Sequence, residues 1–328
     1  MTTPELKSML ISEDNYASSM HETVLPYISE REEEFLPERE AGRRLHCKRY
    51  VPEAPKAVLL ICHGFTESIA KFGEMIYYYL NAGCAVYICE HCGHAGSYRL
   101  TDDLSKVHVD SWKRYTDDFI FIAHIAESAF PGLPVFVYAH SMGGAVAASA
   151  AAIEPELFSR LVLSSPMIRS VRGGFPWTLT RFVCWLFVHI GKAEDYAPGQ
   201  HAYEGPEKFE DSAATSRARF DFYQEIRFAD PQLQMNGATY GWLHAATQIS
   251  VFIQSRGCRN ITAPVLLFQA ENETFVINRQ QDIFIEKLKS RGVDAGLVCI
   301  PGTKHEYYRS DDATMLNYLE RIFRFYEI

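Results

Sequence analysis

Residues 134–148, PVFVYAHSMGGAVAA, constrain this chain more than any other stretch. Val135, Phe136, Val137 and Tyr138 make a β-branched and aromatic run of the kind buried on both faces of a parallel sheet. Gly143 and Gly144 then allow a sharp turn, and the small residues after them suit a helix packed close to that sheet. Ser141 stands on the turn itself. The pattern Ala139-His140-Ser141-Met142-Gly143 matches the elbow Gly-x-Ser-x-Gly except at its first position. A serine hydroxyl is a weak nucleophile in water. It becomes an effective one when a tight turn presents it beside a base and beside backbone N–H groups that stabilise an oxyanion.

The rest of the chain alternates in the same manner. Strand-like runs at 44–51, 57–62, 84–89, 135–138 and 160–164 are interleaved with helical patterns at 72–82 and 111–129. Such alternation predicts an α/β protein with a mostly parallel central sheet and helices on both faces. The alternation stops over 167–260, a block rich in aromatics and glycine. It resumes with a strand at 264–269, a helix near 279–291, a strand at 295–300 and a final helix from 311. The expected organisation is an acidic extension over 1–35, a first core part over 36–166, an inserted helical lid over 167–260, and a second core part over 261–328. Within the extension, residues 30–34 read as a solvated charge run. The lid is expected over the carboxyl ends of the strands, where open α/β sheets bind ligands.

A chain of 328 residues can bury a large core, and 47% hydrophobic with 22% charged residues is ordinary globular composition. The formal charge of −9 argues against nucleic acid as a partner. Polar and acidic residues occupy the N-terminus where a signal peptide would be apolar, so a cytoplasmic location is expected. Residues 179–190, LTRFVCWLFVHI, are too short to span a bilayer. They read as lid core, as an acyl-chain wall, or as a peripheral contact with a membrane surface. Eight dispersed cysteines read as reduced thiols. The run Cys89-Glu90-His91-Cys92-Gly93-His94 lacks a second Cys/His pair, and no metal or organic cofactor is expected.

A nucleophilic serine needs a base and an orienting acid, in the chain order Ser, acid, His. Both types follow the resumed strands. Glu271 and Glu273 lie in AENETFV, with Asp282 a more distant acid, and His305 lies in PGTKHE. All would meet Ser141 at the carboxyl edge of the sheet. Two positions along an extended loop decide which carboxylate faces His305, and the sequence leaves that choice open. The oxyanion donors are expected to be the N–H of Met142 and that of Phe65, in the loop HGFTES after an early buried strand. His63 and His140 come too early in the chain to be the base and are expected to hold loops.

The segments HGFTES, EHCGHAGS, AHSMGGAVA, QAENETFV and PGTKHE stand in the order and spacing of the α/β-hydrolase superfamily. More narrowly, the chain resembles the serine hydrolases that include monoacylglycerol lipases and bacterial lysophospholipases. The resemblance covers roughly residues 40–328 and is strongest in the core. It implies the α/β-hydrolase fold, Ser141 as nucleophile, His305 as base, Glu273 as acid, and Phe65 with Met142 as oxyanion donors. The chain departs from the pattern at Ala139, at Glu273 where Asp is commoner, and at Cys92, where the family carries arginine. The expected reaction is hydrolysis of a carboxylic ester, first of all of a lysophospholipid or monoacylglycerol. Short-chain ester hydrolysis, acyl transfer and non-catalytic lipid or partner binding are the alternatives. Phe175, Trp177, Phe182 and Trp185 of the lid offer an apolar wall for the acyl chain, and Arg169 and Arg172 offer charge for a phosphate head group. Oligomeric state is not readable from the sequence.

Overall fold

Eight strands form one sheet in the computed structural model, which describes residues 3–171 and 175–328. In chain order they are β1 (Glu32–Phe35), β2 (Cys47–Tyr50), β3 (Ala57–Cys62), β4 (Cys84–Cys89), β5 (Val135–His140), β6 (Arg160–Ser164), β7 (Val265–Ala270) and β8 (Ala295–Ile300). Their order across the sheet is β1-β2-β4-β3-β5-β6-β7-β8. The two N-terminal strands run antiparallel, β1 to β2 and β2 to β4, and the remaining pairs are parallel. Every residue of β3 and β5 is buried, as expected for central strands covered on both faces.

Helices α1 (Gly73–Asn81), α2 (Trp112–Ala129), α3 (Met142–Ile153), α4 (Trp177–His189), α5 (Arg217–Ala229), α6 (Tyr240–Ser255), α7 (Asn278–Lys289) and α8 (Asp312–Tyr326) cover it. One face packs against α2, α3, α6 and α7, through side chains such as Phe119, Val146, Ile249 and Phe284. The other packs against α1 and α8, through Ile76, Tyr79, Leu319 and Phe323. Ser111 caps α2 by accepting a hydrogen bond from the Lys113 N–H, and Asp311 caps α8 at the Thr314 N–H.

Residues 1–35, expected as an acidic extension, pack onto the core along much of their length. Leu6, Ile11, Tyr16, Met20, Val24 and Ile28 are buried in the α1/α8 layer. Glu32–Phe35 is the edge strand β1, where Arg49 pairs with Glu33 at 2.6 Å and Lys48 with Glu32 at 2.5 Å across the ladder. Three residues of the charge run, Glu32, Glu33 and Glu34, lie on this edge strand, where charges discourage further strand pairing.

The inserted block is also more integrated than a lid. Trp242, Ala245, Ala246 and Ile249 of α6 belong to the main core against α3. Arg219 of α5 is fully buried, pairing with Glu74 at 2.9 Å and Asp312 at 3.1 Å and donating to the Ile11 carbonyl. Helix α4 carries an exposed apolar edge, at Leu179, Phe182 and Trp185. No described helix is long and apolar enough to cross a membrane.

Candidate active site

The carboxyl ends of β3, β5, β7 and β8 point the same way, so the loops after them converge. The first is the β5–α3 turn. Ser141 adopts φ 53° and ψ −116°, a strained conformation for a residue with a side chain. Hydrogen bonds from its N–H to the Ser164 carbonyl (3.0 Å) and from the Met167 N–H to its own carbonyl (2.8 Å) hold it there. Gly143 and Gly144 are required by space: a Cβ on Gly143 would lie 2.0 Å from the Cys62 carbonyl oxygen, and one on Gly144 2.5 Å from Pro166. Ser141 is 8% exposed, at the floor of a cleft.

His305, after β8, brings Nε2 to 2.8 Å from Ser141 Oγ. Its Nδ1 lies 2.7 Å from Glu273 Oε2, and the other Glu273 oxygen accepts hydrogen bonds from the Phe275 and Val276 N–H groups. Burial opposes ionisation of Glu273, but the His305 contact and the two backbone donors hold its carboxyl below the usual range. The two rival acids face elsewhere: Glu271 accepts from the Gly302 N–H, and Asp282 from the Gln269 amide.

The loop after β3 approaches from the opposite side. A Cβ on Gly64 would come within 3.1 Å of Ser141 Cβ, which places the Phe65 backbone beside the serine. Met142 opens α3, so its N–H is among the first-turn donors that lack an intrahelical acceptor. Trp242 packs on Phe65 with ring centroids 4.4 Å apart and directs its indole N–H at the Met142 sulfur, 3.3 Å away.

His63 and His140 both anchor loops. His63 Nδ1 contacts the Gly64 carbonyl, and its Nε2 accepts from the His91 N–H. His140 Nε2 lies 3.2 Å from the His305 carbonyl oxygen, and its Nδ1 lies 3.0 Å from Glu67. In the β4 loop, Arg99 donates to the Gly93, Leu104 and Ala95 carbonyls. Burial lowers the pKa of His63, His91 and His94, which pack ring to ring beside that loop. Among the described residues no group of His, Cys, Asp or Glu is arranged to hold a metal ion.

A cavity of about 140 Å³ lies over Ser141 and His305. Its described lining mixes charged and aromatic groups and comes from the β3 loop (Phe65, Lys71), the 207–213 segment, α5 (Tyr223, Gln224, Arg227), Phe275 and the His305 loop (Glu306, Arg309). Phe175, Trp177, Phe182, Trp185 and Arg169 are not among the described residues that line it. Phe182 and Trp185 stack on each other and are 56% and 45% exposed. Arg169 lies over the Trp177 ring and donates to Gln254. Arg172 lies outside the described residues.

Sequence reasoning missed a buried ionic network beneath this cavity. Lys71 pairs with Glu306 (2.6 Å) and Glu67 (3.3 Å), and Arg309 pairs with Glu306 (2.7 Å). Glu67 also accepts from the Gly64 N–H and the Tyr308 hydroxyl. Burial works against every one of these charges. The mutual attraction wins: Lys71 and His140 are raised, and Glu67 and Glu306 are lowered. Glu67 and Glu306 sit inside the segments HGFTES and PGTKHE, a signal available in the sequence. Arg227 carries no comparable sequence signal.

Comparison with known proteins agrees with this architecture. The model of the family described as serine aminopeptidase, S33 matches residues 53–312. Lysophospholipase L2 of Escherichia coli K12 is 28% identical over 259 residues, which cover 78% of this chain and 76% of that protein. The monoacylglycerol lipase of Mycolicibacterium smegmatis is 24% identical over 277 residues, covering 84% and 90%. The crystal structure of a soluble variant of the monoglyceride lipase of Saccharomyces cerevisiae superposes with a TM-score of 0.70 at 16% identity, over 89% of this chain and 93% of that one.

Proposed function

The chain belongs to the serine aminopeptidase, S33 family of α/β-hydrolases, and on that premise we propose that it hydrolyses carboxylic esters of single-chain lipids through an acyl-enzyme on Ser141. The observation that carries this reading is the continuous chain from Glu273 to His305 to Ser141, with contacts of 2.7 and 2.8 Å at the floor of a cavity. His305 Nε2 takes the Ser141 proton as Oγ attacks the acyl carbonyl. The N–H groups of Met142 and Phe65 receive the oxyanion, and Glu273 stabilises the imidazolium. Collapse of the tetrahedral intermediate breaks the ester bond, and His305 returns the proton to the leaving alcohol. A water molecule, deprotonated by His305, then attacks the acyl-enzyme. The fatty acid leaves and Ser141 regains its proton. The relatives named lysophospholipase and monoacylglycerol lipase support the choice of a single-chain lipid.

The test is labelling with a fluorophosphonate, wild type beside Ser141→Ala, followed by turnover of esters graded in chain length and head group. The expected result is labelling of wild type alone and a loss of hydrolysis of about 10⁴-fold or more in the variant. A folded wild type that is neither labelled nor active on any ester in the panel sinks the proposal.

A further inference from the structure

One buried carboxylate, Glu67, reaches both loops that flank Ser141. Its backbone N–H donates to the Gly64 carbonyl at 3.4 Å, and its Oε2 accepts from the Gly64 N–H. The Gly64 carbonyl also receives His63 Nδ1 at 2.9 Å. That carbonyl belongs to the same trans peptide as the Phe65 N–H, so fixing one points the other the opposite way. Thr66, in the same turn, has φ 58°, a left-handed conformation that a threonine keeps only where its surroundings impose it. The other Glu67 oxygen lies 3.0 Å from His140 Nδ1 and accepts from the Tyr308 hydroxyl. His140 Nε2 in turn donates to the His305 carbonyl at 3.2 Å, with the two rings 4.9 Å apart. Burial opposes a charge on His140, but the Glu67 carboxylate beside it raises its pKa and favours the ring with an N–H on each nitrogen. The convergence is tight: a Cβ on Gly64 would lie 2.9 Å from Glu67 Oε2, 3.1 Å from His140 Nδ1 and 3.1 Å from Ser141 Cβ.

We propose that Glu67 is a positioning residue for both catalytic loops, fixing the Phe65 oxyanion donor through Gly64 and the base His305 through His140. The inference rests on the acyl-enzyme reading of Ser141. Neither Glu67 nor His140 exchanges a proton with the substrate in that reaction. Attack by Ser141 builds charge on the carbonyl oxygen while His305 takes the proton, so donor and base have to be in place at the same moment. The two loops come from distant parts of the chain, and a shared anion sets one against the other. His140 sits directly before Ser141 on β5, which ties the nucleophile to the same anchor.

The test measures kcat and KM for a nitrophenyl ester, and the rate of fluorophosphonate labelling, in wild type, Glu67→Gln, His140→Gln, the double variant and Glu74→Gln. Glu67→Gln keeps an acceptor for the Gly64 N–H and removes the charge that faces His140. Glu74→Gln breaks a buried ion pair with Arg219 outside the site, and reports what lost stability does by itself. Glu67→Gln is expected to lower kcat about 10²-fold with KM within about threefold, and to slow labelling in proportion. His140→Gln is expected to lower kcat about tenfold or more, and carries the test if Glu67→Gln does not fold. The double variant is expected to lose no more than Glu67→Gln alone, because His140 acts through the same carboxylate. Glu74→Gln is expected to melt at a lower temperature with kcat within about threefold of wild type. Wild-type kcat in either folded single variant, or losses that multiply in the double variant, overturns the assignment while labelling of wild type leaves the acyl-enzyme reading intact. A matching loss of kcat in Glu74→Gln also overturns it, because destabilisation then accounts for the effect. A wild type that neither labels nor turns over the ester removes the acyl-enzyme reading, and this one with it.

Discussion

Glu306 follows His305 directly and lies between Lys71 and Arg309, and its burial would ordinarily raise its pKa. Those two cations instead hold it down to about 2, from an ordinary 4.5. A carboxyl that is depressed in the folded chain adds stability above its unfolded pKa, and that stability is lost as pH falls toward the folded value. The window is therefore about pH 4.5 down to about 2. Glu306→Gln leaves Lys71 and Arg309 short of a counter-charge. We predict a Tm at pH 7 about 5–15 °C below wild type. The gap narrows as the pH is lowered through that window, because wild type loses what the variant already lacks. Thermal melts of both proteins at pH 7, 4.5 and 3 check this, and a gap that widens on acidification refutes the assignment. Glu306, Glu67 and Lys71 are each visible in the sequence as charged residues. Their importance is not, because it depends on which elements fold over them.

At the scale of the element, the β5–α3 elbow is the part most fully encoded locally. A buried strand, a serine with φ 53° and two glycines under van der Waals constraint follow one another within ten residues. Gly143→Ala places a methyl group against the Cys62 and His63 carbonyls, at 2.0 and 2.5 Å. Neither carbonyl can retreat without disturbing β3. The expected cost is about 4 kcal/mol or more, read as a large drop in the denaturant midpoint or as insoluble expression. A variant with wild-type stability would show that the elbow has room. The choice between Glu271 and Glu273 was less legible, since it is made by loop conformation: the Phe275 and Val276 N–H groups draw Glu273 inward, whereas Gly302 engages Glu271. The lid was least legible. Its aromatic residues read as a pocket wall, but the cavity over Ser141 is lined by α5 and the 207–213 segment, whose polar sequence resembles surface.

For the whole molecule, the parallel sheet and its helices follow from alternating patterns that each span only a few residues. The first 31 residues do not announce themselves in this way. Their buried side chains fall at Leu6, Ile11, Tyr16, Met20, Val24 and Ile28, a spacing that drifts from five residues to four across several short helical turns. That drift blurs the 3.6-residue signal. Part of what holds the segment is distant in sequence. The Ser12 hydroxyl and the Glu13 N–H donate to Asp312 at 2.9 and 3.1 Å, and Arg219 donates to both Asp312 and the Ile11 carbonyl. The buckle thus joins residues some 300 positions apart. During synthesis this segment emerges early and can meet α1 soon after, where Tyr16 bonds Glu74 and the Ile11 N–H bonds Tyr78, but it meets Asp312 only after α8 has cleared the ribosome. Loop closure over such a span is slow relative to local helix formation. A ribosome-stalled chain exposed only to residue 311 is predicted to be cleaved by protease within residues 1–31, and the released full-length chain to resist. Equal resistance of the two would show that the early segment docks without its late partner. Ser141 and His305 can thus both have emerged while the chain that carries them is still waiting for its own beginning to be fastened to its end.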